Sequence, residues 1–385
     1  MKRAVSAPTR AGSLFALALY LSRPAAAAAE EQQPQLAKSP NAAQNRRVSG
    51  LRRAAAVSSA LVPGAVLHGS GHWALGEPVA ARRLLAMQGV GLGLIALGGG
   101  SLALTGASRY LVAAEIATAA AGFGLFAVSW FADIYGTLNR DPGAVRYAAP
   151  PLIQTQFGYR FVQDSQFDYR HFWVEQFDLY SAGLRLSPSA WLSPQGRNGR
   201  YGLDVAYRFI GPRPGEQRPL GSRVDLELGT AYQRFAPEQF DTTTFTAALS
   251  GRYDLGGIGY SMSGAFADWQ VGAGLLRYTY GPKRAQLPSD LETFLLARFG
   301  VGALLRGPAA RGSEVSVYYD HRHDDFAAGL KITGIGSGAI GHFGIDARYF
   351  LDENWGVLLD ARIGAARVLG ASLLFREPLR GRGGS

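Results

Sequence analysis

Apolar and polar residues alternate one by one through much of the chain between residues 151 and 376. Along RYGLDVAYRFIG (200–211), one parity carries only apolar or aromatic side chains, and these are Tyr201, Leu203, Val205, Tyr207 and Phe209. Successive side chains of a β-strand point to opposite faces, so this pattern predicts a strand with one apolar and one polar face. About thirteen such runs occur, separated by loop signals such as GPRPGEQRPLG and GPKRAQLPSD.

The length of these runs indicates what the apolar face contacts. They span about 9–11 residues and end repeatedly in Tyr, Trp or Phe, which suits a tilted membrane crossing better than the 5–6 residues of a typical soluble strand. Closing the sheet removes its edges. We therefore predict an all-β transmembrane antiparallel β-barrel over 151–376. Single-chain bacterial barrels have an even number of strands, so we expect twelve, with ten or fourteen as alternatives and the surplus strand within 151–187 or GIGYSMSGAFADWQVGAGLL.

The polar parity of the strands carries charges of both signs in mid-strand. In a closed barrel these side chains face the lumen, and we expect this of Asp204, Arg208, Asp225, Glu227, Asp346, Arg348, Asp360 and Arg362. A barrel of this size has a lumen that side chains can nearly fill, so a structural barrel and a narrow channel are both compatible with the pattern.

An Ala/Gly-rich region, 51–136, precedes the strands and has a different pattern. Its two apolar runs, Leu84–Thr105 and Tyr110–Tyr135, each have about the 20 residues that a membrane-crossing helix needs. The short segment GASR joins them, which predicts an antiparallel helical hairpin. We expect Glu115, close to the start of the second run, to extend toward the headgroups.

The location of the hairpin leaves two alternatives. The connector 137–150 spans at most about 50 Å, too little to place helices and barrel in different membranes. Either an inner-membrane anchor holds a periplasmic β-domain that binds a ligand or partner, or the hairpin accompanies the barrel to the outer membrane. Gly and Ala drive insertion weakly, which favours the second alternative, with the hairpin packed against or just beneath the barrel.

The N-terminus has the three parts of a secretory signal. A basic start, a short apolar stretch and a run of alanines precede Glu30, so we expect a signal peptide over 1–29. Residues 30–50 lack apolar periodicity and indicate a flexible linker, and residues 377–385 form a tail.

Composition limits the partners. The chain has no cysteine, which excludes disulfides and thiolate metal sites, and it carries a net charge of +10. The arginines lack the aromatic interleaving and motif of a nucleic-acid site. We expect anionic lipid or lipopolysaccharide as the partner, with headgroup contacts from Arg52, Arg53, Arg82 and Arg83.

On these features, residues 151–376 resemble the bacterial outer-membrane β-barrel class, which includes the porins. The resemblance rests on the N-terminal secretory signal, on the alternating strands with aromatic ends, and on the last strand, ASLLFRE. It implies an outer-membrane location and contact with barrel-assembly machinery; the residues after Phe375 depart from the terminal aromatic common in that class. Residues 60–136 weakly resemble two-helix membrane modules of the TM2 type, through Val62-Pro63-Gly64 and the glycines that follow.

Two clusters could carry chemistry. In HGSGH, His68 and His72 are four residues apart, but the intervening glycines argue against a helix and no neighbouring carboxylate completes a metal site. In YYDHRHDDF, His321 and His323 lie close to Asp320, an arrangement that could activate water. A polar turn between strands 315–320 and 326–333 explains the same residues, and a nucleophile is missing. We therefore expect a non-enzymatic barrel without metal or cofactor, with a hydrolase acting on lipid or peptide through His321 and His323 as the alternative.

Overall fold

The computed structural model describes most of the region from the helices to the last strand. The described residues are 50–106, 108, 111–139, 150–164, 170–194, 198–213, 221–236, 239–281, 291–305, 312–322, 324, 330–332 and 336–377. The predicted signal peptide, the linker up to residue 49, positions 140–149 of the connector, residues 378–385 of the tail, and His323 lie outside the described residues.

Twelve antiparallel strands form a closed barrel, as the alternation predicts. Its strands are β1 (Ile153–Gln163), β2 (His171–Ser181), β3 (Leu184–Leu192), β4 (Gly199–Ile210), β5 (Arg223–Phe235), β6 (Phe240–Asp254), β7 (Ala265–Tyr280), β8 (Leu291–Leu304), β9 (Glu314–Asp320), β12 (His342–Phe350), β13 (Trp355–Ile363) and β14 (Arg367–Glu377). β1 pairs with β14 and thereby closes the sheet. We call the end where β1 begins and β14 ends the terminal rim, and the opposite end the distal rim.

The surplus strand lies after β9. Of the residues predicted as the barrel strand 326–333, the structure describes Leu330–Ile332, which form β10. β10 pairs with β11 (Gly336–Ile340) in a separate two-stranded sheet. The expectation that the surplus lay within 151–187 or 257–276 was therefore wrong. A short alternating segment satisfies the period of a strand whether or not it pairs with the barrel, so the pattern cannot separate the two cases.

The barrel wall alternates as a membrane barrel should. Side chains of the apolar parity are exposed on the outside, among them Phe157, Trp173, Tyr207, Leu228 and Leu359. Inside, an apolar cluster at the distal rim contains Val162, Phe172, Val174, Trp191, Phe235 and Val368, and a smaller one near the terminal rim contains Phe350, Leu358 and Leu374. Polar side chains occupy much of the interior between these clusters.

Within the described part of the chain before the barrel, four α-helices are present: α1 (Gly50–Leu61), α2 (Ser70–Leu75), α3 (Pro78–Thr105) and α4 (Val112–Leu138). α3 and α4 are both long and apolar enough to cross a membrane. They touch closely because glycines face the partner backbone: a Cβ on Gly98 would lie 2.5 Å from the amide nitrogen of Ala119, and one on Gly91 would lie 2.9 Å from the carbonyl oxygen of Gly122.

The hairpin of α3 and α4 packs against the outer wall of the barrel. Phe123 contacts Phe299 of β8 edge to face, with 5.7 Å between ring centroids. Leu84 of α3 and Ala132 of α4 share an apolar cluster with Met262, which lies in the turn between β6 and β7. This arrangement agrees with the expectation that the hairpin packs against the barrel.

Candidate functional site: a charged lumen

The interior charges form ion pairs that connect neighbouring and distant strands. Arg208 of β4 makes a bidentate pair with Asp225 of β5, at 2.8 and 3.0 Å, and both side chains are buried. Arg160 of β1 donates to Asp360 of β13 at 3.2 Å, reaching past β14. A bidentate guanidinium–carboxylate pair fixes both partners in one geometry. Ion pairs of this kind connect the strands of the barrel on its lumen side.

The longest of these connections cross the lumen. Arg252 of β6 donates to Glu314 of β9 at 2.7 Å and to Asp268 of β7 at 2.7 Å. Two strands, β7 and β8, separate β6 from β9 in the sheet. The Arg252–Glu314 ion pair therefore spans part of the lumen instead of joining neighbouring strands. The guanidinium also lies over the ring of Phe266, 3.6 Å from its centroid.

The chain leaving β9 turns into the barrel. Arg200 of β4 donates to the backbone oxygen of Asp324 at 2.8 Å, and Arg322 donates to the Asp324 carboxylate at 2.9 Å. Four strands separate β4 from β9, so residues 322 and 324 reach across the distal half of the lumen. The Asp324 side chain is almost fully buried between these two arginines.

Beneath this crossing lies a group of charges around Asp204. Arg185 donates to Glu227 at 3.2 Å, and Ser250 and Gln270 donate to the same carboxylate at 2.7 Å each. Arg322 and Arg185 are the cations with the largest electrostatic effect on Asp204. We call Arg185, Arg200, Asp204, Glu227, Arg322 and Asp324 the mid-lumen cluster.

Asp204 is solvent-exposed although it points inward. Its carboxylate lies beside the bare backbone of Gly229, where a Cβ would come within 2.5 Å of it. The other inward-facing charges named above, in contrast, are largely enclosed by their partners. Open space of at least the size of a water molecule therefore adjoins this carboxylate in the middle of the lumen.

The remaining predicted lumen residues also lie on the inward parity. Asp346 is 3.6 Å from Arg298 of β8, and Asp360 is 3.8 Å from Arg362. The positive charge of Arg348 interacts electrostatically with the carboxylate of Glu314. Asp360 and Arg362 are neighbours on one face of β13, whereas Arg298 and Asp346 are 48 residues apart, so their pairing does not follow from a local pattern.

The structure separates two of the three residues of the predicted histidine cluster, and the third, His323, lies outside the described residues. Asp320 faces the lumen and pairs in register with His342 of β12. His321 lies on the outward side with Tyr319, and the Tyr319 hydroxyl is 2.8 Å from Nδ1 of His321. The two residues therefore face opposite sides of the wall. Within the described residues, no group of three His, Asp or Glu side chains could hold a metal.

The HGSGH residues lie at the junction between the hairpin and the barrel. Contrary to expectation, α2 includes Gly71 and His72, and a carboxylate is close by: Asp133 of α4 is 2.6 Å from His72 Nδ1. His68 Nδ1 is 2.6 Å from the Ser129 hydroxyl. Burial lowers the pKa of His68, so its imidazole is neutral near pH 7. Asp133 is, with Glu115, the only charged residue of α4, and this isolation was the sequence signal that could have identified it.

Two other predictions on the helices are corrected or refined. Glu115 is 6% exposed and accepts a hydrogen bond from Thr105 at 3.0 Å, so it lies between the two helices instead of extending to headgroups. Arg52 donates to the carbonyl of Ala74 and Arg83 to that of Ile258, both at 2.9 Å, whereas Arg82 is exposed.

No protein-family model and no curated protein matches this chain. Solved structures to which it is similar include the KdgM porin, with 8% identity, 58% of this chain and 98% of that chain covered, and a TM-score of 0.35. The Acinetobacter baumannii outer membrane protein Omp33 has 11% identity, 60% and 99% coverage, and a TM-score of 0.31. The translocator domain of the Neisseria meningitidis autotransporter NalP has 10% identity, 59% and 89% coverage, and a TM-score of 0.33. The strand topology itself assigns the fold: a closed twelve-strand antiparallel β-barrel with two apolar helices before it, an architecture that points to the outer membrane.

Proposed function

We propose that the barrel is a narrow passive channel of the outer membrane, through which water and small polar solutes or ions pass. The observation that carries the proposal is the exposure of Asp204 inside a closed wall. A lumen sealed by side chains would enclose this carboxylate as it encloses Asp225 and Asp360. The interspersed charges of both signs favour small polar solutes over apolar ones.

The segment after β9 determines how narrow the passage is. Arg200 holds the backbone of Asp324 from the opposite side of the lumen, and Arg322 lies beside Asp204. The hydrogen bond from Arg200 has a charged donor, and such bonds are stronger than those between neutral groups. We infer that the segment restricts the distal half of the lumen.

The other hypotheses receive less support. A hydrolase using His321 would need Asp320 on the same face, and these two residues are on opposite faces. An inner-membrane-anchored periplasmic domain would expose a long apolar outer wall to water, which soluble proteins avoid. A structural barrel without conductance remains as the outcome that the experiment below would detect.

The test is conductance of the purified, refolded chain in planar lipid bilayers. The wild type should give small, stable single-channel currents. Arg200→Ala removes the contact that holds Asp324 and should give larger currents. Arg277→Ala is the matched control, because Arg277 lies on the outward parity of β7 and is exposed; it should leave the current unchanged. Absence of current from both the wild type and Arg200→Ala would contradict the proposal and favour a structural barrel.

A further inference from the structure

Three side chains from distant parts of the chain meet where the hairpin joins the barrel. His72 comes from α2, Asp133 from α4, and Ser261 from the turn between β6 and β7. His72 Nδ1 is 2.6 Å from Asp133 Oδ1, and His72 Nε2 is 3.2 Å from Ser261 Oγ. His72 and Asp133 are fully buried, and Ser261 is 7% exposed.

The order of these contacts is that of an activated nucleophile. A hydroxyl is within hydrogen-bond distance of one imidazole nitrogen, and a carboxylate holds the other nitrogen and thereby fixes the tautomer and the ring orientation. Asp133 is immobile in this position, because its other oxygen accepts from the backbone amides of Gly69 and Gly71 at 2.9 and 3.2 Å. Four nitrogen atoms in total contact this carboxylate, so its orientation toward His72 is fixed from several sides.

A fourth group occupies the approach to the hydroxyl. Ser261 Oγ donates to Glu77 Oε2 at 2.8 Å, and the Glu77 side chain is 43% exposed. Glu77 and His72 therefore compete as acceptors for one proton. Rotation of Glu77 into solvent would leave His72 Nε2 as the acceptor and open the path to Ser261.

We propose that Ser261, His72 and Asp133 form a hydrolytic site for carboxylic esters of membrane amphiphiles. Ser261 Oγ forms a bond to the carbonyl carbon while its proton passes to His72 Nε2. The tetrahedral intermediate then breaks the ester C–O bond, and the alcohol leaves with the proton from Nε2. Water hydrolyses the acyl-serine by the same steps, releasing the carboxylic acid and restoring the hydroxyl. Such an activity goes beyond the channel and would revise the expectation of a chain without enzymatic function.

The position of the site indicates an amphiphilic substrate. It lies at the terminal rim, where α3 and α4 meet the apolar wall, and membrane lipids carry their ester bonds at the corresponding boundary between hydrocarbon and headgroups. Arg83 contacts the carbonyl of Ile258 in the same turn, the adjacent Arg82 is exposed, and Tyr260 is 66% exposed beside Ser261. Exposed arginines and aromatic rings at this level suit an anionic headgroup and the interface around it.

The first experiment is covalent labelling of the refolded full chain in detergent micelles with an alkyl fluorophosphonate, followed by mass spectrometry to locate the adduct. We expect one adduct on Ser261 of the wild type and none in Ser261→Ala. Ser263→Ala is the matched control from the same turn and should be labelled as fast as the wild type. Heat-modifiability on gels verifies that each variant is a folded barrel. A folded wild type without an adduct on Ser261 would overturn the proposal.

The second experiment measures hydrolysis of p-nitrophenyl esters of short and long acyl chains. Asp133→Asn should lower kcat by about 10⁴-fold with little change in KM, because Asp133 positions His72 and does not touch substrate. Glu77→Ala removes the competing acceptor and should leave kcat unchanged or raise it. Loss of activity in Glu77→Ala would contradict the role of His72 as the base. Conductance is measured separately, so failure of the hydrolytic site and failure of the channel are distinguishable.

Discussion

Substitution of Gly98 by Ala should weaken the helical hairpin, whereas the same substitution at Gly93 should not. A Cβ on Gly98 would lie 2.5 Å from the amide nitrogen of Ala119 and 2.6 Å from the carbonyl oxygen of Glu115. Both atoms are backbone, so they cannot rotate away, and α3 must move from α4 by roughly 1 Å to restore ordinary contact. A gap of that size forfeits a quarter to a half of the dispersion energy of the contacts along the interface, about 1–3 kcal/mol for an overpacked site.

Gly93 is the matched control on the same helix. A Cβ there would meet no atom within 4 Å, so Gly93→Ala adds a methyl group in open space. Ala favours the helix over Gly by up to about 1 kcal/mol, and this variant should be unchanged or slightly more stable.

The assay is unfolding of the refolded chain in lipid vesicles, followed by circular dichroism at 222 nm, where the helices dominate the signal. Gly98→Ala should shift the helical transition to lower denaturant concentration, and Gly93→Ala should not. Equal effects of the two substitutions would refute the close approach of α3 and α4 on which the reasoning depends.

Three further predictions concern the wall, the hairpin and the junction. Val205→Arg places a charge on the outward parity in mid-strand and should cost about 2–4 kcal/mol of folding free energy in bilayers, whereas Asp204→Asn should be nearly neutral; equal tolerance of both would contradict the assigned faces. A chain lacking residues 52–139 should still insert as a barrel with reduced stability, because the barrel closes its own hydrogen bonds, and its recovery as a soluble protein would contradict a membrane barrel. Burial lowers the pKa of His68 below its unfolded value of about 6.5, so the unfolded chain binds more protons than the folded chain as the pH falls below that value. The free energy of unfolding should therefore decrease on acidification, and decrease less in His68→Asn. Unfolding measured at pH 5 and pH 7.5 checks this.

The barrel was predictable because its signal is local. The alternation around Val205 requires only that neighbouring side chains point to opposite faces, and a closed wall between lipid and water preserves that alternation from strand to strand. The helical hairpin was predictable for a similar reason, since the length and apolarity of α3 and α4 are properties of single segments.

The contacts that organise the lumen and the junction could not be predicted in this way. Arg200 and Asp324 meet because the chain after β9 turns inward, and nothing in the alternation reports that turn. The carboxylate that holds His72 is 61 residues away and the hydroxyl is 189 residues away. Glu115 was assigned to the headgroups because its position in the run suggested exposure, but the close approach of the helices encloses it.

The central claim is a closed barrel with lipid outside and water inside, and the chain is free of cysteine, so single cysteines can test it. The measurement is the current through Asp204→Cys channels in planar bilayers before and after addition of a charged, membrane-impermeant methanethiosulfonate reagent, with Val205→Cys as the neighbouring control. We predict that the reagent changes the current of Asp204→Cys and leaves that of Val205→Cys unaltered. Modification of Val205→Cys with no effect at Asp204→Cys would contradict the assigned faces and, with them, the proposed channel.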